Sequence, residues 1–97
     1  MITFTSAFAS HIEAMLDWHE ALGYSRRSLA YQLLSFDRFC VRCRPGEMVL
    51  NRELATAWCQ EGTRVDWPAH KAHAVRAFGK YLRLLGEDAF VLPAAGI

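Results

Sequence analysis

The chain is predicted to be all-α, a compact four-helix bundle in a single domain, and three observations predict it. Apolar residues recur at steps of three and four along most of the length, the period of one helix face. Breakers at Gly23, Pro45-Gly46 and Gly62 divide this pattern into four segments. No strand signal, internal repeat or low-complexity run interrupts it. Ninety-seven residues suit one domain, since single domains commonly run to roughly 100–150 residues.

The first helix is expected over about residues 6–22. Ser6 is its expected N-cap, Phe8, Ile12, Met15 with Leu16, and His19 or Leu22 form its buried face, and Gly23 supplies the left-handed residue that closes it. The second is expected over 25–43. There Leu29, Leu33, Phe36, Cys40 and Cys43 step by four, three, four and three, ahead of Pro45-Gly46. The third, over 51–61, takes Asn51 as N-cap and Leu54, Ala57 and Trp58 as its apolar side. A loop through Arg64 and Asp66 leads to Pro68, placed in the first turn of the fourth helix. That helix runs to Leu85 with Val75, Phe78, Leu82 and Leu85 inward, and Gly86 closes it. Residues 87–97 read as a docked tail or linker, leaving residues 1–86 as the domain.

A hydrophobic fraction of 53% with 22% charged residues is that of a globular chain. No run approaches the roughly 18 apolar residues of a membrane span. The N-terminus has no basic stretch, and His11 and Glu13 interrupt its apolar residues, which argues against a secretory signal. Three cysteines exclude a fully paired disulfide framework, so a cytoplasmic location is expected.

The net charge is only +1, but it is unevenly placed. Residues 1–22 carry three carboxylates and no Lys or Arg, whereas 23–46 carry five arginines against Asp37. Residues 47–61 are again acidic, 62–83 are basic by four, and the tail is acidic. On the second helix Arg27, Tyr31, Arg38 and Arg42 share one arc opposite Leu29, Phe36 and Cys40. On the fourth, His73, Arg76, Lys80 and Arg83 lie opposite Val75, Phe78 and Leu82. Side by side, two such faces would neutralise several phosphates and release their counterions. Arginine adds forked hydrogen bonds to phosphate or to guanine edges. The alternative is that these are ordinary solvated faces paired with acidic neighbours such as Glu13 or Glu20.

The run LGYSRRSLAYQLLSFDRFC, from Leu22 to Cys40, resembles the start of the core-binding domain of tyrosine recombinases, the phage-type integrases. In that family a glycine closes the first helix, a Ser/Thr-rich turn follows, and the second helix has a Tyr-x-x-x-Leu-x-x-Phe-like pattern. LNRELATAWCQ is similar to the family's short third helix, and Val75–Leu82, VRAFGKYL, resembles its Val-Arg-x-Phe-x-x-Tyr-Leu signature. The terminal FVLP is similar to the linker before the catalytic domain. The resemblance covers nearly the whole chain in order. It implies a SAM-like four-helix bundle forming half of a clamp on double-stranded DNA, with the catalytic domain of the recombinase absent from this stretch. It places DNA contacts at Ser25, Arg26, Arg27 and Tyr31, and at His70, Lys71, His73, Arg76 and Lys80. By periodicity Lys71 falls on the Phe78 side, but in the first turn a long stem can snorkel outward.

Other motifs carry less. His73-Ala-Val-Arg76 matches the family's His-x-x-Arg, yet that motif belongs to the catalytic domain, and the nearest following tyrosine, Tyr81, shares its helix. Phosphotyrosyl transfer needs groups converging from several elements, so no catalysis is expected. Cys40-Val-Arg-Cys43 lacks the second ligand pair of a structural zinc site and reads as core, with no metal and no cofactor. Trp18, Trp58 and Trp67 at helical spacing also read as core, and His11 and His19 as partly exposed. The expectation is thus a DNA-binding module of a site-specific recombinase, able to self-associate on DNA. The rival is a helical protein–protein or oligomerisation module.

Overall fold

The computed structural model describes the backbone of residues 3–61 and 67–91 and the side chains of 3–61 and 71–91. These residues form four helices, α1 (Ala9–Ala21), α2 (Arg26–Cys43), α3 (Arg52–Gln60) and α4 (Trp67–Leu84). The class is all-α. Among the described residues the only β-type pairing is an isolated bridge between Leu50 and Ala89. The chain divides into two compact units, Met1–Met48 with α1 packed on α2, and Val49–Ile97 with α3 packed on α4.

In the first unit, Phe8, Ile12, Met15 and Leu16 face Leu29, Leu33, Phe36 and Cys40, all buried. The Phe8 and Phe36 rings lie 5.6 Å apart and tilted by 51°. Burying one such ring stabilises by roughly 1.5–3 kcal/mol. α1 starts later than its sequence suggests, with Phe8 rather than Ser6 at the N-cap. The cause is Asp37 of α2, wholly buried, whose carboxylate accepts the amides of Thr5 (3.0 and 3.1 Å) and Ser6 (2.8 Å). Those residues are held against α2, and the Ser6 hydroxyl is left to accept the Phe8 amide at 3.2 Å. α1 closes at Gly23, φ 95°, a conformation that suits glycine. The Gly23 amide donates to Glu20 O (3.0 Å) and the Tyr24 amide to His19 O (3.3 Å), a Schellman closure.

In the second unit, Asn51 caps α3 as expected, its Oδ1 accepting the Leu54 amide at 2.8 Å. Leu54, Ala55 and Trp58 of α3 and Ala74, Val75, Phe78 and Leu82 of α4 are buried. Gly86, φ 83°, repeats the closure of α1, with Gly86 N on Arg83 O and Glu87 N on Leu82 O, both at 3.0 Å. The chain then runs back along α4. Phe90 N donates to Leu50 O at 2.8 Å, and Arg83 Nε donates to Ala89 O at 2.7 Å. This return requires Gly79, since a Cβ there would stand 2.5 Å from Phe90 O.

Several residues expected in the core are outside it. Trp18 is 42% exposed, Leu22 56% and Leu85 49%. The last two cap α1 and flank Gly86, where each helix has run past its partner's packing face. Cys43, the last residue of α2, is exposed, while Cys40 is buried and its thiol is pushed up to about 12, chiefly by burial. A thiol so shifted packs as a small apolar group. Trp58 is fully buried; the side chain of Trp67 and the loop through Arg64 and Asp66 lie outside the described residues, as do residues 92–97 of the tail.

Candidate nucleic-acid interface

The nine expected contact residues take different positions. Ser25 is the N-cap of α2 and exposed, but its hydroxyl makes no capping hydrogen bond. Arg26 is half-buried and held by α1, with Nη1 2.6 Å from Asp17 Oδ1 and 3.8 Å from Glu20 Oε1. The hydrogen bond from Arg26 to Asp17 keeps the guanidinium's pKa above its ordinary value. Arg26 is therefore a strap across the α1–α2 turn, and its charge is offset where it stands. Arg27 and Tyr31, one turn apart, are exposed, as are Arg38 and Arg42 further along α2. No ion pair joins Arg27 or Arg38 to a described residue, and Arg42 sits 5.9 Å over the Phe39 ring.

In the second unit, His73 and Lys80 are exposed and Arg76 is half-buried. The side chain of His70 lies outside the described residues. Lys71 points the other way from the outward reach expected of it. It is 2% exposed, and its Nζ donates to Trp58 O (3.1 Å) and Glu61 O (2.9 Å). It also lies 3.6 Å from the Glu61 carboxylate and 5.2 Å from the Trp58 ring centre. The periodicity that put Lys71 on the Phe78 side was the better guide. The ammonium adds a donor to Trp58 O, which also accepts the Glu61 amide at 3.1 Å, and to Glu61 O, and its charge suits the negative end of the α3 dipole.

Burial also changes the charge reading. Asp37, the carboxylate within α2, faces inward, so the outer face of α2 presents arginines alone. On α4 the outward cations reduce to Arg76, Lys80 and Arg83, of which Arg83 also tethers the returning chain.

Within the first unit a cleft of about 560 Å³ opens where α1 ends and α2 begins. Phe4, Leu16 and Ala30 form its apolar part, and Tyr24, Ser25, Arg27 and the Glu20–Arg26 pair form the rest. Tyr24, 60% exposed, stacks on His19 with ring centres 4.8 Å apart. Sequence reasoning passed over Tyr24; the available signal was an aromatic residue directly after a helix-closing glycine.

Around Cys59, half-buried on α3, burial raises the thiol's pKa while Lys71 and Arg76 oppose the rise. Tyr81, the tyrosine following His73 and Arg76, is 7% exposed. Among the described residues no three His, Cys, Asp or Glu side chains converge as metal ligands, and no helix is long and apolar enough to cross a membrane. Comparison of the chain with protein-family models, curated proteins and solved structures gives no match.

Proposed function

We propose that this chain binds double-stranded DNA through the outer faces of α2 and α4, as the DNA-clamping, non-catalytic part of a tyrosine recombinase in the cytoplasm. One observation carries the reading most: the exposed arginines of α2 stand on a face from which that helix's carboxylate has been withdrawn into the core. Arg27 and Arg38 on α2, and Arg76 and Lys80 on α4, are the phosphate ligands, with Ser25, Tyr31 and His73 beside them. Arg26 and Lys71 act by holding the helices that carry these ligands. A clamp of this kind is completed by the catalytic domain of the same recombinase and by further copies assembled on the DNA.

Such binding depends on counterion release, with log K falling by roughly 0.9 per neutralised phosphate for each unit of log salt. A titration of duplex DNA across a salt series is expected to give a slope of roughly −3 for three to four contacts. Reversing Arg27 and Lys80 together (R27E, K80E) should weaken binding at least tenfold and flatten the slope by about one per site. Absence of binding at low salt, or an affinity indifferent to salt, overturns the proposal.

A second reading has its own observation. Trp18 and Leu22, four residues apart at the C-terminal end of α1, are 42% and 56% exposed, a pair suited to a partner protein or a second copy. If charge reversal at Arg27 and Lys80 alters self-association in sedimentation while leaving DNA binding unchanged, the interaction module is the better account.

A further inference from the structure

We infer that the cleft at the α1–α2 turn receives a single unpaired nucleobase together with its flanking phosphate. This rests on the reading that the chain binds DNA, and it names a different part of the ligand from the paired duplex backbone. Its volume of about 560 Å³ is within the roughly 300–1,000 Å³ common for ligand sites. Its chemistry is that of a nucleotide: the exposed Tyr24 ring for the flat face of a base, a floor formed by the buried Phe4 and Ala30, and a polar edge of Ser25, Arg27 and the Glu20–Arg26 pair.

The charges at that edge are sorted. Glu20 and Arg26 face each other across 3.8 Å, with Asp17 on Arg26 at 2.6 Å. Arg27, exposed and joined by no ion pair to a described residue, is left to meet a phosphate. The Ser25 hydroxyl, which does not cap α2, is available to a base edge.

Tyr24 gives the cleft its selectivity. Its backbone is set by the Gly23 closure and its ring by the stack on His19, so little side-chain freedom is lost on binding. A paired base hides both faces in the helix stack, whereas an unpaired one can leave it for an aromatic ring. Recognition through an exposed aromatic ring therefore favours a bulged, frayed or single-stranded nucleotide over a paired one.

The test uses the whole 97-residue chain and three fluorescent probes of equal length. They are a fully paired duplex, the same duplex with one extrahelical thymine, and the single strand. Anisotropy at fixed salt should give a Kd roughly tenfold lower for the bulged duplex than for the paired one, the scale of one base–aromatic stack. In Tyr24→Ala, whose fold is checked by circular dichroism, the ratio of the two Kd values should fall to about one. Equal affinities in the unaltered chain, or a preference that survives Tyr24→Ala, overturn the inference.

If no DNA probe binds, the DNA reading itself has failed, and the cleft is decided separately with thymidine 5′-monophosphate. Amide shifts centred on residues 24–30 in an NMR titration then support a nucleotide site. No shifts, or shifts elsewhere, overturn it.

Discussion

The two units solve the same problem with opposite charges. In the first, a buried carboxylate, Asp37, gathers backbone amides just ahead of α1. In the second, a buried ammonium, Lys71, gathers backbone carbonyls at the end of α3. Each sign suits the nearby helix end, a negative charge ahead of an N-terminus and a positive one at a C-terminus. Neither group is free to act at the surface, although in a count of formal charges each looks like any other. Buried ionisable groups here organise backbone, and the solvent-facing field is left to the remaining side chains.

The largest effect is expected at Asp37. Asp37→Ala strands the amides of Thr5 and Ser6 inside the fold, and loss of charge-assisted hydrogen bonds at a buried site should cost about 3 kcal/mol. Urea unfolding measures the loss, and hydrogen exchange should rise first at Thr5 and Ser6. A cost below about 1 kcal/mol would mean that water replaces the carboxylate there.

Lys71→Met removes the buried charge of opposite sign in the second unit. Methionine keeps most of the apolar stem packed near Trp58 but removes the ammonium from Glu61 O and from Trp58 O, the latter keeping the Glu61 amide, so a smaller loss of about 2 kcal/mol is expected. Faster exchange should centre on the last turn of α3. If Lys71→Met is neutral, the ammonium is not a cap and the parallel with Asp37 fails.

The smallest effect concerns a feature without a counterpart in the first unit, the return of the chain along α4. Gly79→Ala places a methyl 2.5 Å from Phe90 O. The gain in helix propensity, up to about 1 kcal/mol, offsets part of the clash, leaving a net loss of about 1 kcal/mol. Loss of protection at the Phe90 amide, which bonds Leu50 O, is the signature to seek by hydrogen exchange.

The candidate site was legible only in part. Arg27, Tyr31 and Lys80 are exposed where helical periodicity placed them. The fate of Arg26 was not readable, because its partner Asp17 is nine residues away across a turn whose geometry is set by packing. Leu22 and Cys43 misled for a related reason. A helical stripe tells which residues share a face, but not how far along the helix a partner covers it. Tyr24 was missed because no periodic pattern extends through the turn that holds it.

By itself the sequence determined the four helices and most of their ends, because Asn51, Gly23, Gly86 and the Pro45-Gly46 pair act through local backbone geometry within one or two turns. Tertiary structure alone decided which charges face water. Asp37 meets Thr5 across 32 positions and Lys71 meets Trp58 across 13. A buried charge is tolerated only where such distant partners converge on it, and periodicity within one helix holds no record of them.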